Sequence, residues 1–253
     1  MIIKNEFFIP ENRIEYLPEE MYQSINQIIE DIDAFARTTY KSIYLIDYYK
    51  QNLPYVSDNP LFLCGKSPEE VQKMGYHFFL DRTTREDLEM LLEVNRAGFE
   101  FASRLPDDEK MLYTIGYDFH IIHQVTGRKT LIYQQITPLR LTDEGKVWLA
   151  LCTASVSSRA NSGNVEIFTK KLGRYYTYNL KSGRWQEKEP TKLKPIEKDI
   201  IYLSAKGYTT QDIAEELFKS VDTIKFHRKN LFNILGVSNI SEAINCAMNL
   251  KLI

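Results

Sequence analysis

Cysteine is scarce in this 253-residue chain: Cys64, Cys152 and Cys246 stand at unrelated spacings, with no Cys-x-x-Cys pair among them. Neither a disulfide framework nor a zinc site is indicated by that pattern. Long apolar runs are also missing, and none approaches the roughly 18–20 residues needed to span a bilayer. The start, Met1-Ile2-Ile3-Lys4-Asn5-Glu6, lacks a charged-then-apolar leader pattern, so the expectation is a cytoplasmic protein with no membrane partner. A glycine-rich phosphate loop, a Gly-x-Ser-x-Gly elbow and a His-Glu-x-x-His pair are all absent. Carboxylates are plentiful but scattered over helix faces, and no parallel βα repeat opens the chain as a phosphoacceptor domain would require. The reading is a non-enzyme without metal or cofactor. What is present is ordinary for a globular protein, 43% hydrophobic and 26% charged, with length enough for two domains.

Residues 1–38 read as a helical segment. Met21, Ile25, Ile28, Ile29, Ile32 and Phe35 recur at spacings of three and four and share one face, opposite Glu19, Glu20, Glu30, Asp31 and Asp33. The helix packs on the following domain or, in a sharper alternative, pairs with a second copy. From 39 to 158 the texture changes. Ile43–Tyr49 and Pro54–Pro60 look like strands, and Ser67-Pro68 starts a helix with a serine cap and proline at its first position. A long helix covers Arg85–Arg104. Extended segments follow at Met111–Val125, Lys129–Leu141 and Lys146–Val156, joined by hairpin turns at Thr126-Gly127-Arg128 and Thr142-Asp143-Glu144-Gly145. This order of elements, with Tyr55-Val56-Ser57-Asp58-Asn59 and the Cys64–Glu70 turn, resembles a PAS domain. The resemblance implies a five-stranded antiparallel sheet crossed on one face by helices. Residues 159–190 form a hairpin and linker, with Tyr175–Leu180 and Arg184–Glu187 around Lys181-Ser182-Gly183; marginal alone, the hairpin should pack on a neighbour or extend a sheet.

The net charge of −2 hides an uneven distribution. From Thr191 onward nine Lys/Arg face seven acids, and Lys219, Lys225, Arg228 and Lys229 crowd one stretch opposed there by Asp222 alone. Such a local ridge directs the field toward one surface. Four helices are expected, at about 195–205, 210–217, 221–235 and 240–250. Thr209 and Ser220 are suitable N-caps, and Asp212, three positions after Thr209, completes a capping-box spacing. Ile213, Ala214 and Leu217 line one face of the second helix; Ile224, Leu231, Ile234 and Leu235 do so on the third. Leu193-x-x-x-Glu197, Gly207, Ile213-Ala214-x-x-Leu217, Ser220-x-x-Thr223-Ile224-Lys225-x-His227, Asn230, Leu235 and Glu242-Ala243 together form a frame similar to the LuxR-type helix-turn-helix over about 60 residues.

That resemblance implies that the third helix enters the DNA major groove and that the fourth supports a homodimer. The sequence departs from the pattern in places. Lys194 stands where a threonine or serine cap is usual, Ile196 and Ile240 replace frequent arginines, and Lys219 replaces an apolar residue whose packing Phe218 is expected to supply. Lys225, Arg228 and Lys229 at i, i+3 and i+4 should present their heads on one face to phosphates. Val221, Asp222 and Thr223 occupy the first turn, where recognition helices reach base edges. Thr209 and Ser220 offer hydroxyls and helix N-termini to phosphate. Thr210, Phe226 and His227 complete the candidate DNA-binding set.

The chain thus reads as an α+β protein: a PAS-like sensor domain at 39–158 and an all-α helix-turn-helix domain at 191–253. Its expected partners are double-stranded DNA, a second copy of itself, a small-molecule effector and RNA polymerase. Phe62, Phe79, Phe99, Phe119, Tyr133 and Trp148 are the candidate lining of an effector site, with ordinary core packing as the alternative. His77 as a haem ligand and Cys64 as a flavin-adduct residue have nothing else in the sequence to support them. The rival reading for the whole is a ligand-sensing or protein-interaction module in which DNA binding is secondary.

Overall fold

Strand β1 (Ser42–Asp47) is buried along its whole length, and its pleat explains why the core has two sides. Successive side chains of a strand point to opposite faces, so Tyr44 and Ile46 enter one apolar cluster while Ile43 and Leu45 enter another. The computed structural model describes residues 4–169, 171–250 and 252–253. It separates into two units: the chain up to Val156 together with Asn161–Lys188, and Ser157–Ala160 together with Glu189–Ile253.

In the first unit, 3₁₀ turns at Lys4–Phe7 and Pro10–Asn12 precede helices α1 (Glu19–Gln23) and α2 (Ile25–Ala36). β2 (Asn52–Val56) follows β1. Four helices come next, α3 (Pro60–Leu63), α4 (Pro68–Met74), α5 (His77–Arg82) and α6 (Arg85–Ser103), and then a short α7 (Asp107–Lys110). Strands β3 (Thr114–Ile122), β4 (Lys129–Leu141), β5 (Val147–Val156), β6 (Gly163–Thr169), β7 (Arg174–Asn179) and β8 (Arg184–Lys188) complete it. All eight strands lie in one antiparallel sheet of order β2-β1-β5-β4-β3-β6-β7-β8. Its first five strands, β2-β1-β5-β4-β3, form the five-stranded antiparallel sheet expected from the sequence. Phe62, Val71, Phe78, Phe79, Leu88, Leu91, Val94 and Ala97 from α3–α6 cover one face, as the resemblance implies.

On the other face, Ile25, Ile28 and Ile32 of α2 pack against Ile43, Leu45 and Leu149. The apolar stripe of the N-terminal helix is therefore spent on its own sheet. The helix divides at Ser24, whose Oγ donates to the Met21 carbonyl (2.7 Å), and Phe35 faces solvent rather than joining the stripe. The segment before it is anchored too. Asn12, buried, donates to the Val147 carbonyl (2.9 Å) and accepts from its amide (2.8 Å), while Phe7 enters the core against Tyr76.

The stretch 159–190 becomes three strands added to the β3 edge, one more than the hairpin read from the sequence. β6 escapes a simple alternation rule because a glutamate sits inside it. Glu166 is buried, and its carboxylate accepts from the hydroxyls of Tyr133 (2.7 Å) and Tyr175 (2.6 Å), which satisfies a charge that burial would otherwise penalise. Gly116 makes room for this arrangement, since a Cβ there would lie 2.3 Å from the Tyr133 hydroxyl. The outer hairpin is pinned by Trp185, whose Nε1 donates to the Ala97 carbonyl of α6 (3.2 Å) and whose ring packs on Phe101 and Tyr178.

The second unit holds α8 (Pro195–Ala205), α9 (Thr210–Glu216), α10 (Val221–Leu235) and α11 (Ile240–Asn249). α10 is its spine. Ile224, near its start, packs with Ile200, Leu203, Ile213 and Ala214, while Leu231 and Leu235 pack with Ile201, Ala243, Cys246 and Ala247. Ile234, expected inward, is largely exposed.

Tyr133→Phe should destabilise the first unit by about 1.5–3 kcal/mol, the range for a hydrogen bond to a charged group, because the Glu166 carboxylate loses a donor without gaining water. Urea melts followed by tyrosine and tryptophan fluorescence would measure it; a loss below roughly 0.5 kcal/mol would show that the pair is dispensable.

Candidate nucleic-acid interface

Three helix ends in the second unit set the geometry of the candidate interface. α9 begins at Thr209, where the Asp212 carboxylate accepts from both the amide and the hydroxyl (2.8 Å each) and Thr209 Oγ1 accepts from the Asp212 amide (3.2 Å). Those bonds to Thr209 hold the Asp212 carboxyl below its usual range and complete the capping box. α10 begins at Ser220, whose Oγ accepts from the Thr223 amide (3.1 Å) and lies 2.8 Å from its hydroxyl. At α8, Lys194 supplies no side-chain acceptor, but Glu197 reaches back to the Lys194 amide (2.8 Å), so one half of a cap survives.

The turn between α9 and α10 is a Schellman motif. The Phe218 amide donates to Glu215 O (3.2 Å) and the Lys219 amide to Ala214 O (2.9 Å). This motif requires a left-handed residue at its turning point, normally glycine. Gly207 after α8 and Gly236 after α10 fill that role at φ +89° and +65°. After α9 the residue is Phe218, at φ +51° and 93% exposed. The expectation that Phe218 replaces lost packing fails: the turn aims its side chain outward whatever its polarity.

Once Ile224, Leu231 and Leu235 are buried, the 3.6-residue repeat fixes what α10 presents outward. The exposed stripe is Asp222, Lys225, Phe226, Lys229 and Asn233. Lys225 Nζ lies 3.8 Å from Asp222 Oδ1, an exposed pair of small energetic weight. Arg228 departs from the shared cationic face that spacing suggested. It is half-buried, its Nη1 donates to Thr210 Oγ1 of α9 (2.7 Å), and its guanidinium stands 6.0 Å from the Phe232 ring centroid. It ties the two helices of the turn together. Val221 is also drawn inward, against the Ile200–Ile224 cluster. His227 is half-buried with its ring edge-on to Phe226 (5.5 Å), and its Nδ1 has no hydrogen-bond partner. Thr209 and Ser220 are exposed at the two helix starts, and Thr223 is half-exposed in the first turn.

The candidate effector residues are dispersed. Phe99 borders a cavity of about 90 Å³ between α6 and the sheet, walled also by Tyr48, Val94, Tyr117, Ile136 and Ala150, with Lys110 among its lining. Phe62, Phe79 and Phe119 are locked into the aromatic core around Tyr44. Trp148 packs on the opposite face against Tyr22, and Tyr133 is committed to Glu166. Their places on three helices and three strands separate these rings where composition alone could not. The missed wall residues Ile115 and Ile136 face one another across β3 and β4, a pairing no local signal announces. Burial pushes the Cys64 thiol up to about 11, and His77 faces solvent. Among the described residues no cluster of three or more His, Cys, Asp or Glu could hold a metal ion, and no helix is long and apolar enough to cross a membrane.

Residues 192–247 match the family model of bacterial regulatory proteins, luxR family. The CsgBAC operon transcriptional regulatory protein of Escherichia coli (strain K12) is 34% identical over 80 residues, 32% of this chain and 37% of that protein. Oxygen regulatory protein NreC of Staphylococcus aureus (strain JH9) is 39% identical over 57 residues, 22% of this chain and 26% of that protein. The chain thus spans about a third or less of the length of these curated relatives. Among solved structures, a Vibrio cholerae VqmA dimer aligns over 87% of both chains at 14% identity and a TM-score of 0.35. A PAS domain from Colwellia psychrerythraea aligns over 52% of this chain and 95% of its own, at 14% identity and a TM-score of 0.37.

Phe218→Gly should stabilise the second unit by about 1 kcal/mol, because relief of the left-handed strain exceeds the added freedom of glycine in the unfolded chain. Slower amide exchange in α9 and α10 would report the gain, and unchanged or faster exchange would show that the turn carries no strain.

Proposed function

We propose that this chain, whose C-terminal segment is a luxR-type helix-turn-helix domain, is a sequence-specific DNA-binding regulator of transcription. The observation that carries the reading is the exposed stripe of α10, where Lys225 and Lys229 stand beside side chains free to meet base edges. Lysines on such a face neutralise phosphates and release condensed counterions, which supplies affinity without sequence information. The side chains of the first turns supply the discrimination. The C-terminal segment carries a net charge of only +2, so a single copy binds weakly; a homodimer on two half-sites adds the second set of contacts. RNA polymerase is the downstream partner in this reading.

The first unit acts as the sensor. The cavity beside Phe99 supports a small, mainly apolar effector, whose binding between α6 and the sheet would control the spacing of the paired DNA-binding domains. The cavity is smaller than the roughly 300–1,000 Å³ of drug-sized sites, so the effector is a compact molecule. Native mass spectrometry of the purified protein tests this part: a retained molecule of constant mass supports it, and its absence together with indifference of DNA binding to metabolite extracts removes it.

DNA selection with the full chain tests the regulator reading, and a random set of recovered sequences would refute it. On a selected site, Lys225→Ala and Lys229→Ala should each lower the slope of log affinity against log salt by about one. Arg228→Ala should instead loosen α9 against α10 and leave the slope nearly unchanged. Equal slope losses for all three would place Arg228 on phosphate and undo the distinction drawn from its bond to Thr210.

A further inference from the structure

Phe226 is a large apolar side chain on the exposed stripe of α10, 59% accessible, where the other stripe residues Asp222, Lys225, Lys229 and Asn233 are charged or polar. Exposing an aromatic ring there forgoes the stabilisation of burial, and the helix has an apolar face on which that ring could have been placed. Its surroundings are ordered. By the helical repeat, Lys225 and Lys229 lie to one side of the ring and Thr223 and Asn230 to the other. The edge-on contact with His227 steadies it. The stripe is therefore asymmetric: Lys225, Lys229 and Asp222, net cationic, lie along one margin and neutral side chains along the other, with an apolar centre.

We infer that Phe226 reads DNA sequence by packing its ring on the C5-methyl groups of thymines in the major groove, while Lys225 and Lys229 hold the phosphates along one margin. This rests on the DNA-binding reading above and adds the chemistry of its discrimination. A phenyl ring has no hydrogen-bonding group with which to read a base edge, and the thymine methyl is the one apolar feature the major groove displays. Cations on a single side also fix which way the helix lies in the groove, so that the ring faces bases and not the backbone.

The experiment uses the full chain and the site recovered by DNA selection, with each thymine replaced in turn by deoxyuridine, which removes only the methyl group. Wild-type affinity should fall about fourfold at one or two thymines, the equivalent of ~0.8 kcal/mol for one methyl-sized group. Phe226→Ala should bind the thymine site more weakly and show no loss on the deoxyuridine site. Phe226→Leu, which keeps an apolar contact, should retain part of the sensitivity. Retention of full sensitivity by Phe226→Ala overturns the inference, as does a wild-type protein indifferent to every methyl or a recovered site without thymine. A selection that returns no site at all refutes DNA binding itself, so the two failures are distinguishable.

Discussion

The rotational setting of α10 about its own axis is the constraint on which the second unit depends. Ile224, Leu231 and Leu235 bind it to two small apolar clusters, and those clusters are built from different neighbours: α8 and α9 at one end, α8 and α11 at the other. Turning the helix by one residue would expose Ile224 and bury Lys225. The cost of burying an unpaired ammonium therefore fixes which side chains meet the outside. Arg228 reinforces the setting through Thr210, and Ser220 fixes where the helix begins. The interface is a by-product of packing, which is why a few apolar contacts suffice to orient it.

The first unit follows a different logic. Its sheet is covered by α3–α6 on one face and, at β1, β2 and β5, by α2 on the other, so β1 and β5 are largely apolar on both sides. Several polar groups enter that interior as matched sets. Glu166 takes two tyrosine hydroxyls, Asn12 closes on the backbone of Val147, and the Gln134 amide donates to the Tyr117 hydroxyl (2.9 Å). Such groups tie strands distant in sequence to one register, because each is satisfied in one arrangement only.

Local features were the legible ones. The caps at Thr209, Ser220 and Ser67 depend on spacings of three residues, and the helices they start lie where those spacings place them. The C-terminal frame was readable for the same reason, since each of its positions is set by neighbours within a turn or two. Contacts between distant segments were less accessible. The strand containing Glu166 was not read from the sequence, because what makes a carboxylate acceptable there is a tyrosine 33 positions away. The effector candidates were chosen by ring type, and the fold then dispersed them over three helices and three strands. Arg228 was grouped with Lys225 and Lys229 by periodicity, but a threonine on another helix holds it. Phe218 was assigned to the core by hydrophobicity, whereas the backbone of its turn decides where it points.

Asp222 sits on the exposed stripe of α10, within reach of Lys225, and in the proposed regulator its influence would be as much kinetic as energetic. On random sequence it would face a phosphate-lined groove and compete for the lysine that would otherwise hold the backbone. Each chance encounter would thereby be shortened, while a correct site would compensate through contacts that random sequence cannot offer. A regulator searching among many decoy sites would gain speed from a residue that weakens its grip.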